Sequence, residues 1–472
     1  MVGTGTINAI PSQLRNGTSS IVLAPNEDDD GDGLLNGWEE VGMDINNDGT
    51  IDLDLPSLGA NPRHKDIFVE VDYMDLHKPN PTAMTEVEEA FRKAPVSNPD
   101  GIDGIKLHII LDEQLPHEDA TDATGLFAKK GAHLGNTLER TDVNRENIIN
   151  SKQQVFHYVL FGHTQPSSTS SGESPNMPGM EFMVTLGASK WGKDPVTDHN
   201  VGSKDQQAGT FMHELGHNLG LDHGGWNNIN CKPNYLSVMN YAFQMPSLIG
   251  DRPLDYSRSV LNSLNENRLN EMVGIIDSIP PSLRTAYGPE PIQTPQVGHP
   301  INWDQDTIPE EPSVRVDINN ISTEGCRTSP GDTLAGYNDW QHLDYEVPLS
   351  YATSGTNYTS GSDNKTSTPY KDITIDEIIH HRILLWNSIK SNAYPIGPQF
   401  FNTSDPIDNQ KMNIVNGLLN DTRNNITDLL ITNNLSKAIN ELGELHEIYK
   451  ITNNTEVIWS LDNLETVLRK QI

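Results

Sequence analysis

Residues 213–223 read His213-Glu214-Leu215-Gly216-His217-Asn218-Leu219-Gly220-Leu221-Asp222-His223. On an α-helix His213 and His217 project from the same face one turn apart, so both imidazoles can reach a single ion. Glu214 stands beside them, placed to act on a water at that ion. A third imidazole requires the chain to bend off the helix, and Gly220 is where a left-handed residue permits the bend that swings His223 in. Three neutral imidazoles leave one corner of a tetrahedral Zn2+ open, which marks a catalytic rather than a structural zinc. Water in that corner has its pKa lowered to about 7, so hydroxide is available at neutral pH. Ser203 with Gln206 three residues on reads as a capping box, and Gly220 closes the segment, so the expected zinc helix spans 203–220.

Fourteen residues beyond His223 begins Ser237-Val238-Met239-Asn240-Tyr241. An HExxHxxGxxH motif followed by a methionine-containing turn resembles the metzincin clan of zinc peptidases. The likeness covers about residues 60–245 and identifies the clan rather than one family within it. HELGHNLGLDH is nearer the adamalysin pattern and SVMNY nearer serralysins and astacins, while Gly224 after the last histidine matches none of the three. The resemblance implies an α+β zincin fold, a twisted mixed β-sheet with an active-site helix, followed here by an irregular and then helical C-terminal region. It implies that Met239 forms an apolar floor under the ligands. Tyr241 would be a displaceable ligand or transition-state donor. The implied activity is endopeptidase hydrolysis of proteins or peptides, with Glu214 as general base.

Ahead of this region, Asp28-Asp29-Asp30-Gly31-Asp32-Gly33-Leu34-Leu35-Asn36-Gly37-Trp38-Glu39 fits the twelve-residue calcium loop. Ligands are expected from Asp28, Asp30, Asp32, the Leu34 carbonyl, Asn36 and Glu39, with glycine at position six. A second loop supplies Asp44, Asn46, Asp48, Thr50 and Asp52 but has Leu55 where the closing glutamate belongs, so it should bind more weakly or borrow Asp54. The pair resembles the calcium repeats of thrombospondin type 3 modules and dockerins, which are extracellular. Calcium would be structural, ordering residues 26–55 against the enzyme.

Charge narrows the partners. With 65 acidic and 32 basic residues the formal net charge is −33, a surface that repels nucleic-acid phosphates and anionic membranes and suits divalent cations or basic substrates. No apolar run approaches the ~20 residues of a membrane span. Met1–Ile10 lacks the basic start and apolar core of a signal peptide, so the expected extracellular or cell-surface location implies a signal already removed. Cys231 and Cys326 are too few for a disulfide scaffold; they form one bridge or stay as buried thiols, and secretion would favour the bridge.

The expected division is an N-terminal extension (1–25), calcium repeats (26–55), a catalytic domain (60–349), a Ser/Thr/Gly-rich linker or exposed loop (350–370) and a helical domain (371–472). Asp66–Tyr73, Ile105–Leu111, Val155–Phe161 and Glu181–Leu186 read as strands and Thr85–Lys93 as a helix. By the metzincin resemblance, Glu181–Leu186 is the edge strand that pairs with substrate backbone. Trp303, Trp340 and Tyr345 are expected packing aromatics. Apolar stripes through Ile375–Trp386, Leu435–Ile448 and Leu461–Leu468 predict a small helical bundle packing on itself or on the enzyme. His380 and His381 face different ways on it, which argues against a metal site there. Two other functions fit the same residues: a calcium-dependent surface-binding protein with a vestigial zinc site, and a zinc amidase acting on cell-wall peptides.

Overall fold

The computed structural model describes residues 25–275, 284–345 and 372–472, except 289–291, 294–298, 307, 309–310, 322–323, 327–330, 393–418, 420–421 and 453–454. The N-terminal extension, apart from Pro25, and the linker at 350–370 lie outside the described residues. Strands β1 (Asp66–Met74), β2 (Lys106–Leu115), β3 (Phe156–Phe161), β4 (Gly172–Glu173) and β5 (Glu181–Val184) form one sheet in the order β2-β1-β3-β5-β4. All pairings are parallel except that of β4 with β5. The chain is therefore α+β, with a mainly parallel sheet.

Strand β1, flanked by β2 and β3, is buried almost throughout, as a strand covered on both faces must be. Its period of two sorts the residues: Ile67, Val69 and Val71 enter one core, Phe68 and Met74 the other. Two acidic residues, Glu70 and Asp72, are also buried in β1, each with partners. Lys152 Nζ lies 2.7 Å from Glu70, and the Tyr158 hydroxyl donates to Asp72 at 2.7 Å. Both partnerships answer the cost of burying a charge.

On the second face lie α1 (Asn36–Val41) and α2 (Leu55–Leu58) of the acidic loops, together with α4 (Ala123–His133), α5 (Thr137–Thr141) and α6 (Arg145–Val155). The first face carries α3 (Pro81–Arg92) and α7 (Lys204–Asn218). Asn80 caps α3 by accepting from the Thr82 and Ala83 N–H groups, with Pro81 at the first helical position. Phe211 of α7 packs edge-on against Phe182 of β5, centroids 5.2 Å apart.

One expectation about organisation is corrected. Glu181–Val184 lies inside the sheet, between β3 and β4; the short antiparallel β4 takes the edge, a pairing that its two residues are too few to signal by alternation. The C-terminal helices take the second of the two arrangements expected of them, packing on the residues around α7. Together with Phe243 of α8 (Tyr241–Gln244), Leu215 and Met239, residues of α9 (Ile375–Asn392), α10 (422–431), α11 (Leu435–Thr452) and α12 (Thr455–Arg469) share a continuous core. Ser203 Oγ, at the start of α7, donates to the Lys470 carbonyl at 2.6 Å, and Gly250 N–H donates to Asn463 Oδ1 at 2.9 Å. The apolar stripes are core, as read, and that core is shared with α7.

Residues beyond the methionine turn add a smaller core around Trp303, with Leu261, Ile318 and Leu334. Trp340 packs edge-on against Phe91 at 5.2 Å, so both tryptophans are packing residues as expected. Cys231 and Cys326 are bridged, closing a separation of 95 residues. A loop of that size removes several kcal/mol of chain entropy from the unfolded ensemble. Replacing both cysteines by Ser is expected to lower unfolding free energy by about 2–4 kcal/mol in a denaturant titration; an unchanged midpoint would mean the bridge adds nothing. No helix among the described residues is long and apolar enough to cross a membrane.

Candidate metal centre

Helix α7 begins where the sequence places it: Ser203 and Gln206 form the reciprocal capping box. Every residue from Gln206 to Asn218 is buried, so the helix threads the core with its reactive side chains enclosed. Gly220 adopts φ +84°, the left-handed conformation expected there. The chain turns, and His223 meets the two helical histidines.

Each ring is oriented by an oxygen acceptor behind it. His213 Nδ1 lies 2.8 Å from the Val238 carbonyl and His217 Nδ1 2.7 Å from the Leu221 carbonyl. His223 Nδ1 lies 3.0 Å from Asn228 Oδ1. A carbonyl only accepts, so His213 and His217 carry their protons on Nδ1 and turn Nε2 lone pairs inward. Those Nε2 atoms are 3.1 Å apart. Burial first, then the neighbouring histidines, pushes the His217 pKa well below the ordinary imidazole range, which keeps it neutral.

A fourth group completes the cluster: Asp372, which sequence reading did not anticipate. Its Oδ1 lies 3.2 Å from His213 Nε2 and 3.6 Å from His223 Nε2. Bonds of about 2.0–2.1 Å place tetrahedral ligand atoms roughly 3.4 Å apart. The separations of 3.1, 3.2 and 3.6 Å bracket that edge. His213, His217, His223 and Asp372 can thus hold a metal ion, and all four are buried. Without a cation, inward-facing lone pairs and a carboxylate would crowd one small volume.

The surrounding residues fit the expected parts. Met239 is fully buried, its sulfur against Gly216 beneath α7. Tyr241 lies with its ring centroid 4.6 Å from His223, and its hydroxyl donates to Asp372 Oδ1 at 3.4 Å. The bridged Cys326 brings Gly325 against the Tyr241 ring. Glu214 is wholly buried, and no described N–H or O–H donates to its carboxyl oxygens. Burial, then the adjacent Asp372 charge, raises its pKa well above the usual carboxylate range. Edge strand β4 approaches closely: a Cβ at Gly172 would collide with Glu214 Oε1, so only glycine fits there.

The first acidic loop also encloses unpaired charge. Asp28, Asp30 and Asp32 converge, and Asp32 meets Glu39 and Asp66. Asp30, Asp32 and Glu39 are buried, and among the described residues neither Asp30 nor Glu39 finds a donor for its carboxylate oxygens. Burial, then repulsion from neighbouring acids, raises Asp30 to about 7 and Glu39 to about 10. Asp66 was missed because it begins a strand rather than belonging to the loop; its N–H donates to Asp32 Oδ2 at 2.7 Å. Asn36 faces another way: its amide pairs with the Asp29 backbone N–H and side chain at 3.1 Å. Leu34 N–H donates to Asp32 Oδ1 at 2.8 Å.

The second loop is open to solvent at Asn46, Asp48 and Thr50, with Asp44 half-buried. Asp44 and Asp48 accept backbone N–H groups from Asp48, Gly49 and Thr50, while Asp52 is buried and accepts from Ile45. Asp54, considered as a borrowed ligand, instead caps α2 by accepting from Ser57 N–H at 3.0 Å. An N-cap uses the same lone pairs a cation would need.

No family model matches the chain, and comparison with curated proteins returns no match.

Proposed function

We propose that the chain is a zinc-dependent endopeptidase of the metzincin type, stabilised by calcium and working outside the cell. The observation that carries this is Glu214: a buried carboxyl with no hydrogen-bond donor among the described residues, adjoining three histidines whose Nε2 atoms converge. His213, His217 and His223 would hold the ion, which when bound polarises the scissile carbonyl and acidifies water. Glu214 accepts the proton of the attacking water and passes it to the leaving amine. The Tyr241 hydroxyl, which donates to Asp372 Oδ1, would donate to the developing oxyanion. The acidic loop around Asp28, Asp30, Asp32, Glu39 and Asp66 would take calcium, which favours clustered carboxylate oxygens. Export is supported by the Cys231–Cys326 bridge, since disulfides persist in oxidising compartments.

One observation favours a second reading. Four protein ligands make a closed set, the mark of a structural zinc, which would suit a calcium-dependent surface-binding protein. Denatured casein incubated with the full chain and with its Asp372→Ala variant separates the two. Cleavage abolished by a zinc chelator, with mapped new termini sharing a subsite preference, supports the peptidase. Zinc held tightly by both forms with no peptide bond cut by either would sink it. Cut peptidoglycan peptides beside intact casein would point to the amidase instead.

A further inference from the structure

Asp372 sits far along the chain from the histidines, yet its carboxylate fills the corner that hydrolysis needs open. It is nearly fully buried and is fastened by backbone as well as by its side chain. Ser171 N–H donates to the Ile373 carbonyl at 3.1 Å, and Ser170 Oγ to the Asp372 carbonyl at 3.1 Å. Ser170 and Thr374 form an antiparallel bridge. Residues 372–374 therefore run as an extended segment paired with the residues that lead into edge strand β4. A substrate peptide would be held in this way, by main-chain pairing at a sheet edge with one oxygen presented to the metal. Directly behind them α9 anchors the segment: Glu377 Oε2 accepts from Thr374 N–H and Oγ1 at 2.8 and 2.9 Å, and Ile373, Ile375 and Ile378 are buried.

We propose that Asp372 is an intramolecular inhibitor, a carboxylate that closes the metal's fourth position while residues 372–374 occupy the substrate cleft. This rests on the peptidase reading. A purely structural fourth ligand would leave Glu214 without purpose: a carboxyl buried beside another carboxylate, with no described donor, is costly. Once the segment leaves, the same carboxyl faces the vacant corner and a water. Competition follows from the geometry, because substrate and segment need the same oxygen position and the same edge.

The test uses the full chain loaded with zinc, its Asp372→Ala variant, and Asp372→Asn as the near-isosteric alternative should alanine impair folding. Binding of a peptide hydroxamate, which needs the open metal corner, is measured by calorimetry. In parallel, the visible spectrum of the cobalt-substituted protein reports ligand number. Both variants should bind the hydroxamate at least about tenfold more tightly than wild type, because the binding-competent fraction rises. The cobalt bands should change on losing the carboxylate. Unchanged hydroxamate affinity and unchanged bands, with zinc held by all forms, would overturn the inhibitor while leaving the metal site standing. Failure of every form to bind zinc would overturn both.

A second inference stands on a different cluster. β2, β1 and β3 are parallel neighbours, so their C-terminal ends lie side by side. A histidine follows each end: His117 after β2, His77 after β1 and His163 after β3. Their rings lie 5.0–5.4 Å apart by centroid, and His163 Nδ1 is 3.0 Å from His77 Nε2. One ligand atom from each falls within 4.8 Å of the other two. His77 is buried and His117 exposed, so the cluster opens to solvent on one side.

We infer that His77, His117 and His163 form a second site for a borderline divalent ion such as zinc, tying together three strand ends; imidazole suits that class of metal. Titrating the metal-depleted chain with Zn2+ alone, in buffer holding excess calcium, should give two equivalents. His77→Ala should give one, with the hydroxamate still bound; His117→Ala, at an exposed position, should do the same if the buried variant misfolds. A single equivalent in the wild-type chain, or two in both variants, would overturn the site.

Discussion

Replacing Glu214 by Gln is expected to reduce peptide-bond cleavage about a thousandfold, the middle of the range for removing a general base, while zinc content stays unchanged. Gln keeps the shape of the side chain but cannot accept the proton of an attacking water. The metal ligands are untouched, because Glu214 belongs to none of the oriented ring contacts that aim His213, His217 and His223. The comparison is made in the Asp372→Ala background as well as in the parent, so that closure by Asp372 does not mask the effect. A second readout follows from the raised pKa of Glu214. A carboxyl whose folded pKa exceeds its unfolded value is penalised once it ionises, so stability contributed by its protonated form is lost as pH rises through that range. The metal-free Gln variant should lack this loss and be more stable than the metal-free parent at neutral pH. Cleavage within tenfold of the parent, with zinc bound, would remove Glu214 from the mechanism.

Stripping calcium is expected to lower the thermal midpoint by about 10 °C, because saturation at a thousand times Kd contributes about 4 kcal/mol and each kcal/mol moves a domain of this size a few degrees. The reason is the burial of Asp30, Asp32 and Glu39 beside one another. With the ion bound they are neutralised; without it they repel. Asp30, raised to about 7, gives the sign. In chelator the protein should lose stability as pH climbs from about 4 towards 7, through the interval between its unfolded and folded values. The calcium-loaded protein should hold its midpoint or gain over that interval, since ionised ligands bind the metal better. Differential scanning calorimetry at pH 5 and 8, with and without calcium, checks both curves. Coincident curves would mean the loop binds no stabilising cation. Asp66→Asn should reproduce part of the loss, although this residue lies outside the twelve-residue loop, because it shares the cluster with Asp32 and Glu39.

What could be read from the residues in order was local. Two histidines four apart share a helix face by pitch alone, and Ser203 with Gln206 caps that helix through contacts three residues long. Gly220 supplies a backbone conformation that other residues resist, and the acidic loop carries its carboxylates at fixed offsets. Each of these depends on geometry within about one or two helical turns, which spacing encodes. Tertiary structure decided the rest. Asp372 reaches the histidines only because α9 packs into the same core as α7. The two-residue strand β4 becomes the edge only because β5 offers it a partner. Asp66 joins the first acidic loop through the placement of a whole strand. The three histidines beyond β1, β2 and β3 meet because parallel neighbours end on the same side of a sheet. A long-range meeting of this kind is paid for by hydrophobic burial spread over the whole core, so no single stretch of residues carries its signature.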